Sequence, residues 1–436
     1  MKTLDSIPTG KIARAGTLVH TGVKVGGNYM KYYGKKLLDP TTSREGLDGD
    51  NAEDIYNSLK TLKGSALKVA QMLSMEKNML PSAYVEKFSL SQFSVPALSA
   101  PLVRKTFKKY LGKYPEELFD VFQKDAVNAA SIGQVHRAVK DGHELAVKIQ
   151  YPGVAESIGS DLALVKPIAS RMFNLQGKDA ERYFKEVENK LVEETDYLLE
   201  LRQGEEISQA CSMVPNMVFP SYYPDLSSDR ILTMDWMEGV HLGEFTKTDF
   251  DPLLGHRLGQ ALWDFYMLQI HGLRKVHADP HPGNFLVGDG GELIALDFGC
   301  VKELPAEFYI PYFELAKRDR LGNDVFYTQK LHELEILSVG DTAADIKFFK
   351  ELFKEMLTIF TAPFQEERFD FGAEGFWSDI ASLAERFTQD PRIRKMNGAR
   401  GSQHFLYMNR TFFGLFNLLH DLKASVEVNN YKKYLD

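Results

Sequence analysis

The sequence predicts an α+β protein with two or three lobes: an N-terminal helical extension, a lobe containing strands, and a mainly helical C-terminal lobe. Three observations predict this fold class. Strand-like apolar runs fall between Val127 and Leu296, and the chain beyond Cys300 has mostly the spacing of amphipathic helices. At 436 residues, the chain is long enough to bury more than one core.

The composition is that of an ordinary soluble globular protein, with 44% hydrophobic and 26% charged residues. A net charge of -8 argues against nucleic acid as the main partner. Two cysteines are too few for a disulfide framework, which favours a cytoplasmic location, free or peripheral on a membrane. No apolar run is long enough to predict a membrane span, and no signal-peptide core is found at the N-terminus.

Residues 1–50 are predicted to form a basic N-terminal segment. The first 38 residues contain seven Lys or Arg residues and one acidic residue, Asp5. Such a segment is typical of an amphipathic stretch on an anionic membrane surface. A solvated, partly disordered terminus is an equally good interpretation. The sequence leaves these alternatives open.

Residues 51–100 are predicted to form the helical extension. Apolar residues spaced by three and four predict a helix over Ala52 to Met75. Lys68 and Gln71 share another face of this helix, which periodicity alone would interpret as a solvated flank. Prolines at positions 81, 96 and 101 predict a boundary near residue 100, after which a new helix begins.

Residues 101–235 are predicted to form the N-lobe. Two strand-like runs flank Asp141 and Gly142, which predict a hairpin turn. Lys148 lies in the second run. In kinases, the lysine that pairs with the nucleotide phosphates lies on a strand of this kind. The preceding loop has one glycine where kinases have several, and it is predicted to bind nucleotide through Ala129, Ala130, Ser131 and Gly133.

A long acidic helix is predicted over Ala180 to Gln209. A nucleotide-binding lysine needs a carboxylate partner from such a helix, and periodicity leaves four candidates open, namely Glu186, Glu193, Glu194 and Glu200. The run Arg230 to Gly239 reads as a strand entering a linker between lobes. Asp235 and Met237 are therefore candidates for contacts with the adenine, although an ordinary strand and turn would look the same.

Residues 236–436 are predicted to form the C-lobe, which contains the most informative stretch, HADPHPGNFLVGDGGELIALDFG. Asp279 and Asn284 form H-x-D-x-x-x-x-N, and Asp297 begins D-F-G. Together these are the catalytic and metal-binding motifs of a protein-kinase-like phosphoryl-transfer site. The residues between them predict a hairpin with a turn at Gly288 to Gly291, which would bring the metal ligands to one edge.

Helical patterns surround this stretch. One runs from Leu253 to Gly272, directly before it, and four follow it: Phe308 to Arg320, Asp345 to Phe360, Gly375 to Phe387 and His404 to Val426. The last is strongly apolar and contains Arg410. We interpret its apolar stripe as core packing rather than as a groove for a partner or lipid.

With these motifs in view, the sequence resembles the UbiB family of atypical kinases, also called the AarF-domain or ADCK family. The resemblance covers residues from about 55 to about 300, and more loosely the helical tail. Its motifs occur in the family's order as LKGSALKVAQMLS, NAASIGQVH, AVKIQYPGV, EETDYLLEL, HADPHPGN and LDFG. Ala70 and Asn128 depart from the family pattern, which has glycine and alanine there.

The resemblance implies a two-lobed protein-kinase-like fold that binds ATP or ADP with Mg²⁺. It makes Glu200 the partner of Lys148. It also implies that Lys68 and Gln71 meet an E-x-D pair, Glu194 and Asp196, where an extension covers the site at which a protein kinase takes its peptide. Expected partners are a nucleotide and an anionic or prenyl lipid at a membrane surface, in ubiquinone or other prenyl-lipid metabolism.

In the predicted mechanism, Asn284 and Asp297 hold Mg²⁺, and Lys148, oriented by Glu200, neutralises phosphate charge. Asp279 positions or deprotonates the attacking hydroxyl or water. Three hypotheses compete: an atypical kinase or ATPase acting in prenyl-lipid metabolism, a small-molecule kinase of the aminoglycoside or choline type, and a non-catalytic nucleotide-gated scaffold. The sequence determines neither the phosphoryl acceptor nor the oligomeric state.

Overall fold

The structure, a computed structural model, describes residues 11–39, 45–62, 97–129, 132–173, 177–389 and 401–435. They divide into two compact units. The first contains the described residues up to Leu201 together with Tyr222–Trp236, and the second contains Arg202–Ser221 and the residues from Met237 onward. The predicted α+β class is confirmed. Residues 202–221 lie in the second unit, although the sequence assigned them to the domain over 101–235.

The first unit contains helices and one antiparallel sheet. Its helices are α1 (Lys11–Leu38), α2 (Glu45–Leu62), α3 (Ala100–Tyr110), α4 (Pro115–Leu118), α5 (Val154–Phe173), α6 (Gly177–Glu194) and α7 (Tyr197–Ala210), which continues into the second unit. Its strands are β1 (Val121–Phe122), β2 (Asn128–Ala129), β3 (Gly133–Lys140), β4 (His143–Gln150) and the strand Ile231–Asp235.

The hairpin predicted around Asp141 and Gly142 is confirmed. Strands β3 and β4 pair along their whole length, and both turn residues have positive φ angles, 49° and 78°, as a two-residue type I′ turn requires. Leu145, Val147 and Ile149 are buried in the core of the unit. Since side chains alternate along a strand, Lys148 lies on the opposite face of β4.

Helices α1 and α2 pack as a pair. Asn28 Nδ2 donates to Asn51 Oδ1 at 3.1 Å and to Asp54 Oδ2 at 3.0 Å, and Thr21 bonds to Ser58. The predicted start of α2 at Ala52 was wrong, since the helix begins at Glu45. Its acidic first turns are compatible with a helix, because negative charge is favourable near a helix N-terminus. Its predicted continuation to Met75 lies outside the described residues.

The long helix predicted over Ala180 to Gln209 is two helices, and this prediction was wrong. Helix α6 ends at Glu194 and α7 begins at Tyr197. The break is fixed by the Thr195 carbonyl, which accepts hydrogen bonds from Gln150 Nε2 at 3.1 Å and Arg230 Nη1 at 2.7 Å. A carbonyl with these two side-chain donors is satisfied outside a continuous helix.

The second unit is mainly helical, with small sheets. Its further helices are α8 (Leu242–Phe245), α9 (Pro252–Met267), α10 (Ala306–Leu315), α11 (Asp324–Glu333), α12 (Ala343–Phe360), α13 (Glu374–Gln389) and α14 (Gln403–Asp421). The strand Ile231–Asp235 of the first unit is β6. The strands of the second unit are β5 (Met217–Val218), β7 (Val240–His241), β8 (Lys275–His277), β9 (Phe285–Val287), β10 (Leu293–Ala295), β11 (Val301–Glu303), β12 (Arg368–Asp370) and β13 (Ser425–Glu427).

Two predicted helices of the C-terminal part have different ends. The helix expected to reach Arg320 stops at Leu315, and α11 follows as a separate helix. The last helix stops at Asp421 rather than at Val426, because Lys423 adopts a positive φ of 50° that reverses the chain. Val426 then lies in β13 and pairs with Phe369 of β12. Among the described helices, none is long and apolar enough to cross a membrane.

Candidate active site

The hairpin predicted between the two catalytic motifs is confirmed. Strands β9 and β10 are antiparallel, with Phe285 opposite Ala295. One further backbone bond extends this pairing, since the Leu296 N–H donates to the Asn284 carbonyl at 3.0 Å. Asn284 and Asp297 therefore end two paired strands and leave the same edge of the hairpin.

The turn of this hairpin is supported by helix α9. Gly291 has a φ of +77°, which L side chains rarely adopt. Arg257 of α9 donates from Nη2 to the carbonyls of Gly290 at 3.1 Å and Gly291 at 3.2 Å. The turn is thus anchored at the end of the hairpin opposite Asn284.

His277, the first residue of H-x-D, is a buried structural residue. Its backbone N–H donates to Gln269 Oε1 at 2.9 Å, and its Nδ1 lies 3.1 Å from the hydroxyl of Tyr266. Burial, more than the nearby Asp279 charge, raises the pKa of Tyr266 well above its usual value, so this hydroxyl stays protonated. His277 also contacts the ring of Phe298 from D-F-G, at 5.7 Å between centroids. The histidine therefore packs one motif against the other.

The segment that carries these contacts departs from regular helix. Residues Leu268–Leu273 form a π-helical turn between α9 and β8, and Arg274 follows with a left-handed φ of 55°. Such turns are frequent at functional sites because they re-aim side chains. Here the turn points Gln269 at the backbone of His277. Burial lowers the pKa of His271, in the same turn, to about 3, so this imidazole is neutral.

Asp279 lies in a tight loop built around its own backbone. Its carbonyl accepts hydrogen bonds from the N–H of His281 at 2.7 Å and from Asn284 Nδ2 at 3.0 Å. Asn284 Nδ2 also lies 3.4 Å from Asp279 Oδ2. The other carboxylate oxygen, Oδ1, accepts from Arg410 Nη2 of α14 at 3.1 Å. The carboxylate is half-buried, so it keeps a solvent-accessible side.

Asp297 is held by the turn that it begins. Its Oδ1 accepts from the N–H of Gly299 at 2.9 Å, and the next residue, Phe298, is 1% exposed. Behind this turn, Ala278 N–H donates to the Cys300 carbonyl at 2.8 Å, next to the pairing of β8 with β11. The strand before Asp279 and the strand after Asp297 are thus neighbours, and the second unit brings together Asp279, Asn284 and Asp297.

In the first unit, Lys148 and Glu200 form a bidentate ion pair. Lys148 Nζ lies 2.8 Å from Oε1 and 2.9 Å from Oε2 of Glu200. The Glu200 side chain is 4% exposed and that of Lys148 is 20% exposed, so the carboxylate is almost fully buried. Lys148 Nζ also lies 4.9 Å from the ring centroid of Tyr197, within the range of a cation–π contact.

Among the E-x-D residues, Asp196 has a clear structural contact, because its Oδ1 accepts from the N–H of Leu199 in the first turn of α7. This cap fixes the start of the helix that carries Glu200. Glu194 is half-buried at the end of α6. Lys68 and Gln71 lie outside the described residues, so the predicted meeting with Glu194 and Asp196 stays a prediction.

The alanine-rich loop is described at its two ends. Ala129 pairs with Gln134 in β2 and β3, and Ala130 and Ser131 lie outside the described residues. Gly133 has no room for a side chain: a Cβ atom would lie 2.7 Å from both the Ile149 carbonyl oxygen and the Tyr197 hydroxyl. This glycine lets β3 approach the residues around Lys148.

The two residues predicted to face the adenine are in different units. Asp235 ends β6 in the first unit, and its Oδ1 accepts from the Tyr223 hydroxyl at 2.7 Å. Burial, together with this bond, raises the pKa of Tyr223 to about 12. Met237 is in the second unit and lies outside the described strands and helices. Their roles in nucleotide binding stay predictions.

Comparison with known proteins identifies the family. Residues 90–321 match the model of the ABC1 atypical kinase-like domain, which is more than half of the chain. The chain belongs to this family. The resemblance to UbiB, AarF-domain and ADCK proteins is confirmed, and this ABC1 protein is a kinase-like phosphotransferase.

Similar curated proteins include the mitochondrial atypical kinase COQ8B of Rattus norvegicus, which is 30% identical over 84% of this chain and 70% of its own length. The mitochondrial atypical kinase COQ8 of Saccharomyces cerevisiae is 27% identical over 97% of this chain and 84% of its own. The solved structure of Rv3197 from Mycobacterium tuberculosis, in complex with erythromycin, matches with a TM-score of 0.61 and 26% identity. It covers 90% of this chain and 98% of that protein's chain. The two-lobed kinase-like fold class is thereby confirmed.

Three residues around the motifs of this ABC1 protein were missed from the sequence. Gln269 and Tyr266 fix His277, and their helical setting gave no sign of this contact. From the sequence, Arg410 is only a charge in an apolar helix, and its contact with Asp279 is seen in the structure alone. That isolated charge was the available signal, because a charged side chain on an apolar helix face usually needs a partner.

Proposed function

We propose that this chain is a Mg²⁺-dependent, ATP-binding atypical kinase or ATPase of the UbiB type. We further propose that it supports ubiquinone or other prenyl-lipid metabolism at a membrane surface. The observation that carries the proposal is the cluster of Asp279, Asn284 and Asp297, whose two motifs are joined by the bond from Leu296 to Asn284. Phosphoryl transfer depends mostly on positioning and charge stabilisation, which such a fixed cluster can supply.

The donor set of this cluster fits Mg²⁺. The amide nitrogen of Asn284 is directed at Asp279, so the amide oxygen is directed away from it. That oxygen and the carboxylate of Asp297 are hard ligands of the type Mg²⁺ prefers. Because Mg²⁺ takes about six oxygen ligands, phosphate oxygens and water would supply the others. When bound, the ion would neutralise charge on the phosphates.

Lys148 would bind nucleotide phosphate, and Glu200 would hold its ammonium in place. The bidentate contact of about equal distances leaves the ammonium little rotational freedom. A lysine whose ammonium is held by a buried carboxylate keeps its positive charge at a fixed position, where it can neutralise charge on a nucleotide phosphate. Ala129, Ala130, Ser131 and Gly133 are proposed to cover the nucleotide, with Asp235 and Met237 near the base.

Asp279 would position or deprotonate the acceptor, either water or a hydroxyl group. Its carboxylate is fixed from two sides and half-exposed, as a group that accepts a proton from an incoming molecule requires. We also propose that Lys68, Gln71, Glu194 and Asp196 regulate access to this aspartate. A bulky peptide is the acceptor that such a covered site would disfavour first.

The membrane part of the proposal is supported by helix α1. Val23, Met30 and Leu37 recur every seven residues and are 71%, 74% and 86% exposed, and Tyr33 is 59% exposed. Exposed lysines flank this apolar row at positions 24, 31, 35 and 36. Apolar residues beside lysines on one exposed helix suit the interface of an anionic bilayer. The proposed role in ubiquinone metabolism follows from the resemblance to the UbiB family, and the mitochondrial atypical kinases COQ8B and COQ8 are similar to this chain.

A hydrolysis assay tests this function. Purified wild-type protein is expected to release phosphate from ATP with Mg²⁺, and to do so faster with anionic vesicles and a phenolic analogue of a quinone head group. Met30→Asp with Leu37→Asp should reduce the stimulation by vesicles, and Lys68→Ala tests the regulatory residues. Neutral vesicles are the control. No hydrolysis by the wild type under any of these conditions would contradict the proposal.

A further inference from the structure

Through one of its faces, helix α14 contacts the catalytic loop of the second unit and Lys302, which follows D-F-G by three residues. Tyr407, Arg410 and Gly414 are spaced by three and four, so they share that face. Arg410 bonds to Asp279, and Lys302, two residues after Cys300, lies 5.2 Å from the ring centroid of Tyr407. The apolar stripe of this helix is predicted from the sequence to pack in the core. The helix also contacts the residues around the site.

Gly414 shows how closely α14 approaches the catalytic loop. A Cβ atom at this position would lie 2.4 Å from Cγ and 3.1 Å from the carbonyl oxygen of Pro280, the residue after Asp279. Only a glycine allows the helix backbone this near to the loop. Arg410, one turn earlier, is thereby placed at a fixed distance from the Asp279 carboxylate.

The rest of α14 is firmly packed, so the helix holds Arg410 in a fixed position. Asn409 Oδ1 accepts from the Tyr312 hydroxyl of α10 at 3.0 Å, and Met408, Phe412 and Leu415 are buried. Arg410 itself is one-third exposed, so its contact with Asp279 is partly screened by water. The contact of Arg410 with Asp279 therefore acts mainly by holding the carboxylate in place, and less through the strength of the ion pair.

The two carboxylate oxygens of Asp279 have unequal contacts. The bond of Asn284 Nδ2 to Oδ2 is 3.4 Å long, at the weak end of the hydrogen-bond range, whereas Arg410 Nη2 lies 3.1 Å from Oδ1. A charge-assisted bond from a guanidinium is also stronger than one from an amide. Arg410 thus restrains the rotation of this carboxylate more than Asn284 does.

The geometry points to Arg410 as a positioning residue that holds the Asp279 carboxylate in its reactive orientation, with Gly414 setting the distance of the helix. This inference rests on the proposed function, because it assigns Arg410 a part in the same reaction. Removing the guanidinium removes its restraint on Oδ1, so fewer encounters have a reactive geometry. The binding of nucleotide should change little, since Arg410 acts through Asp279.

The test compares steady-state ATP hydrolysis by full-length wild type, Arg410→Ala and Arg410→Lys, with thermal unfolding of each. Arg410→Ala should lower kcat by about 10- to 100-fold and leave KM for ATP nearly unchanged. Arg410→Lys should be intermediate, and millimolar guanidinium should partly restore Arg410→Ala. Arg410→Gln replaces the alanine variant if that variant does not fold. Arg368→Ala, which removes an exposed arginine paired with Glu427, is the matched control.

A folded Arg410→Ala variant with unchanged or increased kcat would overturn the inference. Equal losses of kcat in the alanine and lysine variants, without rescue by guanidinium, would also overturn it. An increase would mean that Arg410 restrains the enzyme instead of positioning its base. No hydrolysis by the wild type would instead remove the proposed function, and the inference with it.

Discussion

Asp279→Asn is expected to lower the kcat of ATP hydrolysis by at least about 100-fold, the usual lower range for the loss of a general base. Asparagine has the same size, and its amide oxygen can still accept from Arg410 Nη2, which contacts Oδ1 at 3.1 Å. The loop should therefore keep its shape. Because Lys148, Asn284 and Asp297 are unchanged, the affinity for nucleotide should stay close to that of the wild type.

The measurement for Asp279→Asn combines single-turnover hydrolysis with nucleotide titration. Asp289→Asn is a matched control, because Asp289 is an exposed aspartate in the hairpin turn between the same motifs. It should hydrolyse ATP like the wild type. Hydrolysis by Asp279→Asn at the wild-type rate would remove Asp279 from the chemical step.

Lys148→Ala is expected to destabilise the first unit and to abolish hydrolysis. It leaves the Glu200 carboxylate, 4% exposed, buried without its bidentate partner, which typically costs about 3 to 5 kcal/mol in the free energy of unfolding. Glu200→Gln added to Lys148→Ala removes the buried charge. The double variant should therefore recover most of the lost stability, while hydrolysis stays absent because the phosphate-binding ammonium is missing.

Denaturant unfolding of the two single variants and the double variant, with hydrolysis assays of each, gives the required double-mutant cycle. Additive losses of stability would show that the two side chains are not coupled. Recovery of hydrolysis in the double variant would show that Lys148 matters only through the buried charge of Glu200, and would contradict its proposed contact with phosphate.

Local patterns predicted much of the fold. The turn at Asp141 and Gly142 and the hairpin between Asn284 and Asp297 are encoded by neighbouring residues, and both are present. Helix ends were less accurate where distant side chains determine them. Helix α6 ends at Glu194 because Gln150 and Arg230 bind the Thr195 carbonyl, and no pattern within the helix encodes those partners.

The residues of the candidate site differ in the same respect: local spacing predicts some of them, and distant contacts determine the others. Spacing alone identified the motif residues Asp279, Asn284 and Asp297. Periodicity could not select Glu200 among four glutamates, because the break after Glu194 changes which side each residue faces; the family resemblance supplied that choice. Arg410 is 131 residues from Asp279 in the chain, so only the packing of α14 against the loop revealed their contact.

The central claim is a Mg²⁺-dependent nucleotide site that includes Asn284 and Asp297. Calorimetric titration of ATP and of ADP, with Mg²⁺ and with excess chelator, tests it most directly in wild type and Asp297→Asn. The account predicts that wild type binds nucleotide much more tightly with Mg²⁺, and that Asp297→Asn loses most of this dependence on the metal. Equal nucleotide affinity of the two proteins, with and without Mg²⁺, would contradict it.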